Sequence, residues 1–231
     1  MLTIVEPGYE ILTEKYTIDG MTRAIELAGR TCYKSESCIS SDSADRFVRR
    51  LCYSNHVSVL EHASITARIT CSRACSHQLV RHRLAAYSQE SQRYCNYRKK
   101  GLQFICPPSV GLEPGDYYLD HNDWLRFVDI RSATIIGTRA VSWLNAVSYA
   151  ADAYLTAIDA GDRPEDARYL LPNAMKTEVV VTMNLRMWRH VIKERGLNEA
   201  AQWEIRGIFL GIFHELKELL PAVFGDLTQI C

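Results

Sequence analysis

Apolar residues recur at spacings of three and four over residues 19–30 (Met21, Ala24, Ile25, Ala28) and again over 42–54 (Phe47, Val48, Leu51, Cys52). This is the period of helices with one buried face, and Asp19 stands where a cap for the first belongs. The polar stretch 34–41 reads as the loop between them. Ile65, Ala67 and Ile69 alternate with Thr66, Arg68 and Thr70, the period of a strand covered on one face. That strand leads into a helix expected to carry Arg81, His82 and Arg83. Residues 94–105 read as an irregular strand closed by Pro107-Pro108, and 109–116, with Gly111, Pro114 and Gly115, as a surface loop.

From 122 to 159 there is no proline, and the helical period persists through Trp124, Phe127, Ile130, Ile135, Ile136, Ala140, Trp143, Leu144, Val147, Ala150, Tyr154 and Ile158. One unbroken helix would be roughly 55 Å long, more than the width of a domain of this size. Either Gly137 interrupts it or a partner subunit covers part of it; two consecutive helices are the favoured reading, the second contributing to an oligomer core. Asp162-Arg163-Pro164-Glu165 opens a short helix that Pro172 closes. Residues 177–182 form a buried strand, and Asn184 caps a helix over 185–194 that Gly196 stops. On that helix Arg186 and His190 share one face, while Arg189 and Lys193 share another that reads as solvated. A last helix over 199–220 buries Ile205, Ile208, Phe209, Ile212, Phe213 and Leu216. The pattern is α+β: an antiparallel or mixed sheet packed with long helices, in a single domain spanning 1–231.

Composition narrows the function classes. The formal net charge is zero, yet from Cys71 to Lys100 there are seven basic residues (Arg73, Arg81, Arg83, Arg93, Arg98, Lys99, Lys100) against one acid, Glu90. Positive charge that is local favours a small phosphorylated ligand over a long polyanion, so no nucleic-acid partner is expected. No apolar run approaches the ~20 residues of a membrane span and no leader pattern opens the chain, which implies a soluble, cytoplasmic protein without a membrane partner. The cysteines at 32, 38, 52, 71, 75, 95, 106 and 231 form no Cys-x-x-Cys pair. Cys71, Cys75 and His77 lack a fourth ligand at recognisable spacing, so reduced thiols are expected and no metal.

The most informative stretch is 76–94, where Arg81-His82-Arg83 is followed after seven residues by Ser91-Gln92-Arg93. Further elements are His56 to Glu61-His62 upstream and Ala167-Arg168-Tyr169-Leu170-Leu171-Pro172 downstream. Together they resemble the flavin-dependent thymidylate synthases, and the resemblance covers most of the chain. It implies reductive methylation of deoxyuridylate (dUMP) to dTMP, with methylenetetrahydrofolate as carbon donor. It implies FAD as the flavin, NADPH as its reductant, and a homotetramer whose active sites are shared between subunits.

Carried over position by position, the resemblance assigns Arg81, His82 and Arg83 to the flavin, Arg81 lying also close to the nucleotide. Ser58, Glu61, Asn184, Arg186 and His190 become further flavin contacts, and His56 a histidine at the flavin and folate face. On residue chemistry alone His56 and His62 read as surface or capping groups. Gln78, Ser91, Arg93 and Arg168 fall to the nucleotide phosphate and sugar, and Arg195 to the pyrimidine. Position 89 is Gln where relatives can have Glu, so either Gln89 or Glu90 faces the nucleotide. Ala200 stands where the family often has His, which removes or replaces one flavin contact.

These residue types suit the chemistry. Methylation at C5 of uracil needs electron density there, which many enzymes create by adding a cysteine thiolate. A hydride from reduced flavin substitutes for the thiolate, leaving the protein to bind, orient and stabilise charge. A guanidinium stays charged, grips phosphate in a forked geometry and stabilises a pyrimidine oxyanion. Two alternatives stay open at this level. Cys75, Cys95 or Cys106 would be the nucleophile of a thiolate-dependent methyltransferase, and Tyr87, Tyr94 and Tyr97 among basic residues would suit a single-stranded nucleic-acid binder.

Overall fold

The computed structural model describes residues 1–119, 127–129 and 138–228. In chain order the first elements are β1 (Leu2–Ile4), β2 (Gly8–Ile11), α1 (Lys15–Thr31), α2 (Ser43–Tyr53), a 3-10 turn (Val57–His62), β3 (Ser64–Ser72), α3 (Arg73–Leu79) and β4 (Ala86–Gln89). Next come α4 (Tyr97–Lys100), β5 (Gln103–Phe104), β6 (Gly115–Leu119), β7 (Phe127–Asp129), α5 (Thr138–Asp159), α6 (Pro164–Ala167) and β8 (Lys176–Asn184). The chain continues through α7 (Leu185–Val191), a π-helical turn (Ile192–Leu197), α8 (Trp203–Leu219) and α9 (Pro221–Phe224). The strands form two four-stranded sheets, β5-β1-β6-β7 and β2-β3-β8-β4, so the α+β class expected from the sequence holds. The chain divides into two compact units, one of Met1–Pro7, Thr70–His77 and Gln89–Val179, the other of Gly8–Ile69, Gln78–Ser88 and Val180–Cys231. Among the described residues no helix is long and apolar enough to cross a membrane.

In the first unit β1 runs parallel to β5 and antiparallel to β6, giving a mixed sheet. Its core joins Leu2, Ile4, Phe104 and Tyr117 to the buried stripe Val141, Leu144, Val147, Ala151 and Tyr154 of α5. The expected break at Gly137 falls outside the described residues, as do Trp124, Ile130, Ile135 and Ile136, but α5 begins directly after Gly137. The helical reading fails at Phe127–Asp129, which pairs with β6 through Leu119↔Phe127, Tyr118↔Val128 and Tyr117↔Asp129. Three residues, here Phe-Val-Asp, fit either period, and a paired neighbouring strand decides it. Residues 94–105 are likewise not one strand: a turn, α4 and the two-residue β5 replace it. Asn96 starts α4 by accepting the Arg98 amide at 2.9 Å.

In the second unit α1 begins four residues before Asp19, which lies inside the helix paired with Lys15 at 2.9 Å rather than capping it. Its buried face is Ile18, Met21, Ile25 and Gly29, and Ala24 is exposed. The buried set of α2 includes all four apolar residues expected. Burial along β8 alternates, with Thr177, Val179, Val181 and Met183 buried and the residues between them only half-buried, so the apolar run 179–181 is not covered on both faces. Asn184 caps α7, its side-chain oxygen accepting the Met187 amide at 2.8 Å. The helix then widens into the π-helical turn instead of stopping at Gly196. A methyl group at Gly196 would lie 3.0 Å from the backbone carbon and oxygen of Phe209, so a side chain here would push the turn and α8 apart by a few tenths of an ångström and glycine gives the closest fit.

Arg189 corrects a further expectation. It is buried, not solvated, and grips Asp226 with two nitrogens at 2.6 and 2.7 Å while also donating to the Val223 carbonyl. α7 is thereby tied to the segment around α9.

Candidate active site

The signature triplet lies after a helix, not on one. α3 ends at Leu79, and Arg81 and His82 occupy turns in which their amides donate to the carbonyls of Gln78 (3.3 Å) and Leu79 (3.2 Å). The chain leaves the helix after Leu79 and enters β4 at Ala86, so the triplet falls in the connection between them. Tyr87 closes this loop: its hydroxyl reaches the Leu79 carbonyl at 3.0 Å and the His82 carbonyl at 2.9 Å. Arg81 and Arg83 are exposed and Gln78 is half-buried.

His82 points inward and meets Arg195, whose Nε donates to the imidazole Nε2 at 3.0 Å. The His190 ring stands edge-on at 6.1 Å. Burial first, then the positive charges of Arg195 and His190, push the His82 pKa down to about 4, against a small opposing pull from Glu194. At neutral pH the ring is therefore an uncharged acceptor at Nε2, with its proton on Nδ1.

A second group of predicted residues lines a cavity of about 370 Å³. His56, Ser58 and Arg186 share its wall with Cys32, Tyr33 and Asn55. Asn55 adopts a left-handed φ of 56°, which turns the chain from α2 into the 3-10 turn and sets His56 at the rim. Arg186 Nη1 lies 2.5 Å from Glu61 Oε1, so two residues assigned separately to the flavin are partners of each other.

The third group lies in the first unit. Arg93 places Nε and Nη2 each 3.3 Å from Glu165 Oε2, Arg163 Nη1 is 3.6 Å from Oε1, and Arg168 Nε donates to the Glu165 carbonyl at 3.2 Å. The Ser91 hydroxyl accepts the Arg93 amide at 3.3 Å, which folds the two residues onto one turn. Gln89 donates from Nε2 to the hydroxyls of Ser76 (3.0 Å) and Thr177 (3.3 Å). Glu90 instead lies 3.8 Å from Lys176 on the wall of a separate cavity of about 310 Å³.

The predicted residues thus gather as His82, His190 and Arg195, as His56, Ser58, Glu61 and Arg186, and as Ser91, Arg93 and Arg168. Tyr87, Arg163, Glu165 and Arg189 were not among them. Glu165 and Arg93 are 72 positions apart, and no periodic or motif signal links them.

The chain matches the thymidylate synthase complementing protein (Thy1) family over residues 14–222. It is 38% identical over 215 residues to the flavin-dependent thymidylate synthase of Geobacter sulfurreducens, covering 90% of this chain and 82% of that protein. It is 37% identical over 213 residues to the flavin-dependent thymidylate synthase of Mycobacteroides abscessus, covering 90% and 80%. Its fold resembles that of a UMP/dUMP methylase, PolB from Streptomyces cacaoi, in a crystal structure with 5-Br dUMP bound. The TM-score is 0.72 at 21% identity, covering 97% of this chain and 96% of the other. This chain belongs to the thymidylate synthase complementing protein (Thy1) family, together with these flavin-dependent thymidylate synthases.

Proposed function

We propose that this protein is a flavin-dependent thymidylate synthase that converts dUMP to dTMP in the cytoplasm. Methylenetetrahydrofolate is the carbon donor, FAD the bound flavin and NADPH its reductant, and the enzyme is a homotetramer with active sites shared between subunits. The observation that supports this most is Arg195 held at Nε by a buried imidazole, in a chain of this family. That grip leaves both terminal nitrogens of the guanidinium for a pyrimidine oxygen.

The residues around the 370 Å³ cavity suit a flavin nucleotide: a hydroxyl from Ser58, an imidazole from His56 and a guanidinium from Arg186 on one concave wall. When bound, reduced flavin supplies a hydride, so no protein thiol has to add to the uracil ring. The chain's own residues bind and polarise. Arg93, Arg168 and Ser91 hold the dUMP phosphate, Gln78 and Gln89 offer amides to the nucleotide, and Arg195 stabilises negative charge that develops on the uracil oxygen. Glu61 orients Arg186, and Asn184 fixes the start of the helix that carries Arg186 and His190.

The test is optical. Purified protein titrated with FAD is expected to quench flavin fluorescence to saturation and to lose its yellow absorption when NADPH is added. Protein that takes up no FAD at any concentration overturns the proposal.

A further inference from the structure

Three features of His82 separate it from its neighbours in the triplet. Its side chain is buried, 9% exposed, whereas Arg81 and Arg83 are exposed, so it has little surface to offer a large flat ligand. Its backbone is held on both sides of its Cα, the amide by the Leu79 carbonyl and the carbonyl by the Tyr87 hydroxyl. Its ring nitrogen is already engaged, accepting from Arg195 Nε at 3.0 Å.

Arg195 is equally constrained from its own side. It sits in the π-helical turn Ile192–Leu197, which Gly196 allows to press on the backbone of Phe209. An arginine side chain fixed only at its backbone still rotates about its long stem. An acceptor at Nε sets the plane of the guanidinium and leaves Nη1 and Nη2 to act together.

We propose that His82 is a positioning residue for Arg195, fixing the guanidinium plane through Nε so that its two terminal nitrogens meet the uracil ring, and that His82 acts on the reaction through this arginine and not through contact with the flavin. The inference rests on the thymidylate synthase proposal and on Arg195 as its uracil-facing arginine. The groups facing the imidazole are consistent with the role. Burial and the charges of Arg195 and His190 outweigh Glu194 and keep the ring uncharged, and an imidazolium would have no lone pair to offer Nε.

The test uses the full-length protein as purified, with His82→Ala, His82→Gln, Arg195→Ala and the double variant His82→Ala/Arg195→Ala. FAD affinity is read by fluorescence quenching and dTMP formation at saturating dUMP by chromatography. His82→Ala is expected to bind FAD within about twofold of the parent while turnover falls by about 30-fold, the scale of a lost charge-assisted hydrogen bond. His82→Gln, whose amide oxygen can accept from Nε, recovers much of that loss. In the Arg195→Ala background, removing His82 costs nothing further, because the residue acts through the arginine.

Loss of FAD affinity by His82→Ala with normal turnover of the loaded fraction overturns the inference, as does an additive double variant. Nitrogen NMR of histidine-labelled parent protein provides a reading independent of activity. An uncharged ring protonated at Nδ1 down to about pH 5 is expected, and a ring that titrates near the ordinary 6.5 contradicts the inference even if the enzyme is active. Parent protein that binds FAD but forms no dTMP removes the thymidylate synthase proposal, and this inference with it.

Discussion

Arg93 and Glu165, 72 positions apart in the chain, meet with two guanidinium nitrogens each 3.3 Å from a single carboxylate oxygen. The carboxylate lies where Arg93 would otherwise offer its fork to a phosphate, while the carbonyl of the same residue takes Arg168. If these arginines hold the dUMP phosphate, Arg93→Ala and Arg168→Ala each weaken dUMP binding by about 2 kcal/mol, or about 30-fold. Glu165→Gln acts in the other direction, releasing Arg93 and tightening binding by up to about fivefold, the range of a partly exposed ion pair. Calorimetric titration of dUMP into the three variants checks both signs.

Tyr87 closes the loop that carries the signature triplet with one hydroxyl shared between two carbonyls. Tyr87→Phe keeps the ring and its packing but frees the loop. Stability is expected to fall by about 1 kcal/mol, and amide exchange over residues 80–85 to accelerate while the rest of the protein is unchanged. Turnover should fall with it, because His82 sets the plane of Arg195. Exchange mass spectrometry and a steady-state assay on the same preparation test the two effects together.

Much of the architecture follows from the sequence, but in an uneven way. The helical periods of α1, α2 and α8 and the alternation of β3 survive because each is long enough for one buried face to repeat several times. Phe127–Asp129 and the segment 94–105 do not, because neither repeats one face often enough to set a period, and only the partner strand or turn decides. Arg81, His82 and Arg83 could be named from their motif, but not that His82 alone turns inward. That depends on Tyr87 and on a π-helical turn that no local propensity encodes. Arg189 looked solvated because its partner, Asp226, lies 37 positions away.

Arg189 and Asp226 also make a stability prediction. Burial pushes the Asp226 carboxyl up, but hydrogen bonds and charge from Arg189, with help from Lys193, hold it below the usual carboxylate range. The folded pKa is thus depressed relative to the unfolded chain. The pair's contribution is fully present above the unfolded aspartate pKa of about 4 and is lost as pH falls through the lower folded value. Asp226→Asn leaves Arg189 buried without its counter-charge and is expected to destabilise the protein by about 3 kcal/mol at pH 7. Urea denaturation at pH 7 and pH 3 should show the gap between parent and variant narrowing in acid.

The cysteines separate this chemistry from its nearest competitor. Burial pushes the Cys106 thiol up to about 11, Cys75 is buried, and Cys95 lies 3.7 Å from Lys100 as a half-buried thiol. A thiol at about 11 is almost wholly protonated at neutral pH and a poor nucleophile. Alanine at Cys75, Cys95 and Cys106 in turn should leave turnover within about threefold of the parent, whereas loss of an attacking thiolate costs several orders of magnitude. Single-turnover rates of the three variants decide between them.

The most direct measurement is the amount of dTMP formed from dUMP, methylenetetrahydrofolate and NADPH by flavin-stripped protein, with and without added FAD. The expected result is dTMP that appears only when FAD is present and scales with the fraction of protein loaded. Methylation that proceeds equally without flavin, or FAD-loaded protein that binds dUMP and forms no dTMP, would contradict it.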